Sequence, residues 1–208
     1  MIELSQLRER IKDYIGGKRL SHTYAVEEEA AALAELFGIT GADRLRLQYA
    51  ALLHDITKEK KGSEQAELYA KLGIEGAEID ILSPKIMHAK TAAALVKLDF
   101  PELADDMLCS QICWHTTGRA GMTLGEKLLY LADYIEQTRT FDDCVKLRRH
   151  FYTKIKKAKN MQDRLSVLDE ILIESFDMTI CALLEDGEPV CTDTIEARNA
   201  LIYSKMQH

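Results

Sequence analysis

The sequence predicts an all-α protein, and three observations carry that reading. Apolar residues recur at intervals of three and four along most of the 208 residues, the spacing of one face of a helix. Only 3 prolines and 11 glycines interrupt the chain, so few breakers stand in the way of long helices. No run sustains the apolar/polar alternation of a strand. The length suits a single domain over 1–208 with one proper core.

The elements follow in order. Leu4, Leu7, Ile11 and Ile15 form one stripe, so a helix is expected over 3–15, ended by Gly16-Gly17. Ser21 is a good N-cap for a second helix to about Phe37. Val26, Ala30, Leu33 and Phe37 then face inward, Glu27, Glu28 and Glu29 mostly outward, and Gly38 stops it. A third helix runs from about Asp43 to His54, with Leu47, Ala50, Ala51 and Leu53 inward. Short helical pieces cover 63–72 and 76–82. Proline is tolerated in a first helical turn, so Pro84 opens a helix to about Leu98 and Pro101 another to Trp114. Thr116-Thr117-Gly118 reads as a loop, irregular to Gly125, before a helix over 125–137. Two helices fit within 143–185, and one more between Val190 and Tyr203.

Composition removes several function classes. Net charge is -7 and the pI about 5.4, which argues against a general nucleic-acid binder. No stretch approaches the roughly 18 to 20 apolar residues of a membrane helix. The first residues, MIELSQLRERIKDYI, carry early acids and no unbroken apolar run, unlike a secretory signal. The cysteines are Cys109, Cys113, Cys144, Cys181 and Cys191, an odd number without a CxxC pair. That pattern fits a reducing cytoplasm rather than a zinc ribbon or disulfide framework. Cys109 and Cys113, four apart, read as small apolar residues. Between Lys146 and Arg164 lie eight Lys/Arg and one acid, Asp163. A solvated helix face is the simpler reading, a positive wall toward a polyphosphate the sharper one.

The chemistry concentrates in histidines and aspartates. His22 lies four residues before Val26 on the inward stripe, and His54 follows Ala51 by three. His88 sits in the first turns after Pro84, with Ala92 and Leu95 on its face, and His115 ends Ile112-Cys113-Trp114. A lone inward histidine is more often a hydrogen-bonded core residue. Asp55, after Ala51-Leu52-Leu53-His54, and Asp133, inside Leu129-Tyr130-Leu131-Ala132-Asp133-Tyr134-Ile135, are different. A carboxylate in an apolar run is unfavourable unless paired or metal-bound. Histidine and carboxylate together meet that need by holding a divalent metal.

His22, then His54-Asp55, then Asp133 resemble the HD-domain phosphohydrolases in order and context. The fuller set Ser21-His22-Thr23, Ala51 to Lys58, His88-Ala89, Trp114 to Gly118 and Ala132 to Arg139 resembles the bacterial YqeK family. Asp193-Thr194-Ile195-Glu196-Ala197-Arg198-Asn199 is similar to that family's ending, so the likeness spans about 5–203. One position departs: Gln137 stands where the family often has proline.

The resemblance implies an HD-domain helical bundle with a metal-binding core over about 18–140 and C-terminal helices over about 143–205. It implies an iron-dependent enzyme that hydrolyses diadenosine tetraphosphate symmetrically to two ADP. His22, His54, Asp55 and Asp133 would be its metal ligands, and His88 and His115 would hold a second metal or contact phosphate. Imidazole and carboxylate alone do not choose among Fe, Mn, Co and Zn. Lys58, three residues past Asp55, is a phosphate-contacting or catalytic lysine by resemblance, and otherwise an exposed member of a charged run. Catalysis is thereby assigned to Asp55, Lys58, His88 and His115.

Substrate contacts are expected from Lys58, His88, His115, Thr116, Thr117, Gly118, Arg139 and Arg198. Arg139 offers a bidentate guanidinium; Arg198 either closes over the site or anchors the tail, and anchoring is preferred. His150 reads as a surface residue, His208 as a disordered end and Trp114 as core. Tyr130, Tyr134 or Tyr203 are candidates to face a base. Leu165, Leu168, Ile171, Leu172 and Phe176 fit an intramolecular core better than a homodimer seam.

Four rival readings stand beside this one. One is an HD-type nucleotidase acting on nucleoside or deoxynucleoside monophosphates, with the same first metal site. A second is a nucleotide-sensing module without turnover, which need not keep a whole hydrolytic centre. A helical scaffold would leave Asp55 and Asp133 unexplained. A cyclic-dinucleotide phosphodiesterase is disfavoured, because no Gly-Tyr-Pro element is present.

Overall fold

The computed structural model describes residues 2–75 and 83–207, Pro84 by its backbone alone. The short helix expected over 76–82 and the terminal His208 lie outside the described residues. Ten α-helices and no strand occur among those described. They are α1 Leu4–Arg10, followed by a 3-10 turn Ile11–Asp13, then α2 Gly17–Leu36, α3 Gly41–Leu53 and α4 Gly62–Leu72. Next come α5 Pro84–Asp99, α6 Asp106–Trp114 and α7 Leu124–Ile135, and last α8 Asp142–Ile155, α9 Met161–Glu185 and α10 Thr192–Met206. Not one of the described helices is long and apolar enough to cross a membrane.

The helices α2, α3, α6 and α7 form the centre. α2 packs on both α3 and α7, and α6 bridges α3 and α7. α5 lies against α6 and carries α4 on its flank. α8 rests on α7, α9 rests on α8, and α10 lies along α9. The predicted inward positions of α2 and α3 (Val26, Ala30, Leu33, Leu47, Ala50, Ala51, Leu53) are all buried. Leu168, Ile171, Leu172 and Phe176 of α9 are fully buried within the chain. Each such side chain contributes roughly 1.5–3 kcal/mol relative to exposure.

Several element boundaries differ from expectation, for local reasons. α2 begins at Gly17, four residues before Ser21. Gly16-Gly17 ends one element and starts the next, with Gly17 at φ +50°, where only glycine is unstrained. Ser21 is already helical, and its hydroxyl donates back to Gly17 O at 3.4 Å. α2 stops as expected: Gly38 takes φ +69°, and Ile39 N–H reaches Ala34 O at 2.8 Å, a left-handed C-terminal cap.

Glu27 and Glu29 are buried rather than outward. Glu27 accepts from Arg8 and, at 2.6 Å, from Gln48, and Glu29 accepts from the Tyr152 hydroxyl of α8. Helix period alone places both on the wrong face because it ignores paired acids.

Pro101 lies in a turn, and α6 opens at Asp106. The Asp105 carboxylate accepts from Leu108 N–H at 2.7 Å, a side-chain cap that Phe100, the residue before Pro101, lacks. α7 begins one residue early because Thr123 and Glu126 form a reciprocal capping box. It ends at Ile135 rather than 137, where Glu136 turns extended at ψ 155°.

The loop after His115 is braced by the C-terminal helices. Gly118 has φ +65°, and a Cβ there would lie 2.7 Å from Phe176 Cζ and 3.0 Å from Ala197 Cβ. Gly118→Ala is therefore expected to cost about 2 kcal/mol through backbone strain and overpacking. The midpoint of thermal unfolding should fall by about 4–8 °C; an unchanged midpoint would show that the loop is not braced there.

Candidate metal centre

Five helices deliver the histidines and aspartates to one place. His22 projects from α2 and His88 from α5. His54 and His115 are the C-terminal caps of α3 and α6, Asp55 follows His54, and Asp133 lies in the last turn of α7. Three helix C-termini thus converge, each presenting the negative end of its dipole, which favours a cation between them.

Asp55 is at the middle and only 2% exposed. Its Oδ2 lies 2.7 Å from Arg19 Nη1, 3.4 Å from His54 Nε2 and 3.7 Å from His22 Nε2. Its Oδ1 lies 3.2 Å from His88 Nε2 and 3.7 Å from His115 Nε2. Asp133 Oδ1 is 3.0 Å from His22 Nε2, 3.9 Å from His54 Nε2 and 2.6 Å from Arg139 Nη2. The two oxygens of Asp55 therefore face two different pairs of imidazoles.

Each ring is oriented from behind. His54 Nδ1 donates to Ala51 O at 2.6 Å, His115 Nδ1 to Ile112 O at 2.7 Å and His88 Nδ1 to Lys85 O at 2.8 Å. His22 Nδ1 faces Glu136 Oε1 at 3.0 Å. With protons assigned to Nδ1 by these partners, the Nε2 lone pairs of His54, His88 and His115 point inward, as ligating histidines require, and His22 aims its Nε2 to the same point.

Electrostatics agree with a cation site. Burial raises the Asp55 carboxyl, but His54, His115 and His88 outweigh it and hold the group well below the usual carboxylate range. Asp133, also opposed by burial, is held low by Arg139 and His22. Burial pushes His88 down to about 4 and lowers His115 as well. Two neutral rings thus face each other with Nε2 atoms 3.1 Å apart. Two nitrogens each about 2.1 Å from one ion at right angles lie roughly 3 Å apart. The Nε2 atom of His54 is buried without a hydrogen-bond partner, and that of His22 faces Asp133 Oδ1. Donor atoms of three groups, His22/His54/Asp55, His54/His115/Asp133 and Asp55/His88/His115, fall within 4.8 Å of one another. An orphaned nitrogen and opposed lone pairs fit a divalent metal, with nitrogen and oxygen donors only.

The other expected residues divide. Lys58 Nζ lies 3.2 Å from His88 Nδ1, and burial lowers its pKa. Thr116 Oγ1 is 3.3 Å from His88 Nε2. Thr117 is buried and donates to Gly118 O at 3.0 Å, within the braced loop. Arg139 joins the cluster through Asp133. Arg198 instead binds Asp177 of α9 and, at 3.2 Å, Asn199. His150 pairs with Glu174 at 2.6 Å. In the basic segment, Arg148 caps the carbonyls of Ile135, Glu136 and Arg139, and Lys154 pairs with Glu170 at 2.5 Å.

Tyr130 is buried with its hydroxyl 3.1 Å from Ser175, Tyr134 stacks on it, and Tyr203 is exposed. Trp114 is half-buried and lines a cavity of about 710 Å3 with Leu72, Ala93 and Cys113. That cavity is the roomier one, but it lies on the face of α5 that carries Lys90 and Lys97, turned from His88 by helical spacing. The ligand geometry, not cavity size, marks the site.

Two participants escaped sequence reading. Arg19 stands one turn before His22, but starting α2 at Ser21 left it outside the helix. Glu136, three residues past Asp133, is fully buried and accepts from Thr138 Oγ1 at 2.8 Å as well as facing His22. A buried acid ending an apolar run was the available signal.

Comparison with known proteins agrees with this geometry. The sequence profile of the HD domain matches residues 19–138. A protein of Bacillus subtilis (strain 168) named symmetrical bis(5'-nucleosyl)-tetraphosphatase is 32% identical, with 92% of this chain and 94% of that protein aligned. A protein of the same name from Halalkalibacterium halodurans is 31% identical over 92% of this chain and 93% of its own. One from Staphylococcus aureus is 26% identical over 98% and 96%. The crystal structure of a Clostridium acetobutylicum protein, described as a predicted HD superfamily hydrolase involved in NAD metabolism, superposes with a TM-score of 0.82. It is 29% identical and covers 98% of this chain and 99% of its own.

Two outcomes test the centre. Glu136→Gln removes the anionic partner of His22 Nδ1 and should weaken metal affinity about 10- to 100-fold, read by competition with a chelating dye; unchanged affinity would detach Glu136 from the centre. Burial opposes a charge on His22, but Asp133 and Glu136 outweigh it and raise the ring to about 9. A metal takes only the neutral ring. Metal uptake at pH 7.5 should therefore release about one proton from His22, and affinity should climb with pH until about 9. Calorimetry in buffers of different ionisation enthalpy measures this, and uptake without proton release would contradict it.

Proposed function

Because the chain belongs to the HD domain family, we propose that it is a metal-dependent phosphohydrolase that splits diadenosine tetraphosphate symmetrically into two ADP. The observation that carries this reading is Asp55, whose two carboxylate oxygens face separate imidazole pairs in the cluster. The name shared by the three relatives supports the substrate.

We assign His22, His54, Asp55 and Asp133 to one ion, and Asp55, His88 and His115 to a second where two are bound. Iron is our choice by family resemblance, and the nitrogen and oxygen donors suit Mn, Co and Zn as well. A bound divalent ion supplies charge to a phosphate oxygen and acidity to water. The chain's own groups position the rest. Lys58, beside His88, donates to a phosphate oxygen near the scissile bond. Thr116 and Arg139 orient the bridge for in-line displacement. One water is added across the central P–O–P linkage, so each half leaves with two phosphates. The Thr117-Gly118 backbone shapes the wall, and Arg198 holds α10 on α9. Residues 18–140 then carry the chemistry, with 143–205 as its support. Free thiols at Cys109, Cys144 and Cys181 support a cytoplasmic setting.

Anaerobic incubation of iron-loaded protein with diadenosine tetraphosphate, followed by chromatography, tests the reading. ADP as sole product, lost in His54→Ala and Asp55→Ala with the fold retained, is expected. AMP plus ATP would overturn the position of cleavage. Absence of turnover with metal bound would overturn the activity, and nucleoside monophosphates would be the next substrates to try.

A further inference from the structure

Thr57, Gln65 and Thr91 form a hydrogen-bonded cluster beside the centre, and all three are buried, Gln65 at 2% exposed. Gln65 of α4 donates from Nε2 to Thr57 O at 2.6 Å and accepts at Oε1 from the Thr91 hydroxyl of α5 at 2.7 Å. Thr57 O also accepts from Lys60 N–H at 3.1 Å. The Thr57 hydroxyl stands 2.9 Å from His88 O and 2.8 Å from Thr91 Oγ1. A hydroxyl has one proton to give. That of Thr91 goes to Gln65, so Thr57 is the donor toward His88 O and Thr91. Thr57 lies two residues past Asp55 and one before Lys58, and Thr91 lies three past His88. The Gln65 amide therefore clamps the turn that carries Asp55 onto the turn of α5 that carries His88.

Stability alone does not account for this cluster. A hydrogen bond made on folding replaces one to water, and apolar groups of the same shape would fill the space about as well. A fully satisfied buried network adds rigidity and a fixed register instead. The register at stake is that of Asp55 Oδ1 and His88 Nε2, 3.2 Å apart. A ligand set functions only when its atoms are held to within about 0.5 Å. The bonds of the cluster run among α4, α5 and the turn after α3. They bear on the Asp55/His88/His115 group, whereas His22 and Asp133 project from α2 and α7.

We propose that Gln65, acting through Thr57 and Thr91, is a positioning residue for the second ion. It sets the affinity of the Asp55/His88/His115 group and leaves that of His22, His54 and Asp133 with Asp55 unaltered. This role rests on the two-ion form of the phosphohydrolase reading, and it is defined by metal binding rather than by turnover.

Calorimetric titration of the metal-stripped full chain with cobalt(II) tests it. The wild type should take up two ions and His88→Ala one, which identifies the second step. Gln65→Leu should weaken the second ion about 10- to 100-fold and leave the first within about twofold. Thr91→Val, which removes the hydroxyl, should act in the same way, and Thr91→Ser, which keeps it, should bind both ions as the wild type does. Unchanged second-ion affinity in Gln65→Leu, equal weakening of both ions, or uptake of one ion by the wild type would each overturn the proposal. Thr91→Val decides it by the same outcomes if Gln65→Leu does not fold. Selective loss of the second ion from Gln65→Leu, in a protein whose wild type does not cleave diadenosine tetraphosphate, would sink the activity and leave the role of Gln65 standing. Cleavage together with second-ion binding indifferent to Gln65 would do the reverse.

Discussion

A carboxylate withdrawn from water must have its charge answered, and the burial of Asp55 imposes that demand on the centre of the molecule. Its two oxygens draw on groups from four helices and on Arg19 of α2. Desolvation of an unanswered carboxylate costs several kcal/mol, a large share of the roughly 5–15 kcal/mol by which a domain is stable. The packing of α2, α3, α5, α6 and α7 around this point is therefore tied to the charge at its middle. The arginines meet part of that demand from one side, and the imidazoles face it from the other.

The imidazoles are held by backbone rather than by chance. Three of the four use Nδ1 on a carbonyl three residues earlier, at the end of a helix or within its first turns. A helix C-terminus has carbonyls without intrahelical partners, so a histidine placed there is oriented at little entropic cost. His22, in the second turn of α2, is oriented by Glu136 instead. The extended backbone at Glu136, which ends α7 early, brings its carboxylate to that ring.

Much of this was legible in the residues, and the gaps have physical causes. Helix period located the inward faces of α2 and α3, and the problem of acids in apolar runs led to Asp55 and Asp133. Period could not see that Glu27 and Glu29 point inward, because their partners, Arg8, Gln48 and Tyr152, are distant in sequence. Proline was read as a helix start at both Pro84 and Pro101. It is one only at Pro84, since the Asp105 cap outcompetes Pro101. Arg19 was hidden by a boundary error of one helical turn, which shows how a small misplacement at a helix start conceals a site residue. Thr116, Thr117 and Gly118 were grouped as one loop. The structure separates them, with Thr116 beside His88 and Gly118 pressed on Phe176 and Ala197.

That last contact has a consequence for biosynthesis. Gly118 closes against residues of α9 and α10, so the turn that follows His115 gains its backing only once nearly the whole chain has left the ribosome. His22 and Asp133, 3.0 Å apart, likewise close a long stretch of polypeptide, with the loop entropy that entails. A nascent chain exposes His22, His54 and Asp55 well before their partners exist. Metal capture thus belongs to the finished molecule, and truncation in α10 would reach the centre through the turn that carries Thr116.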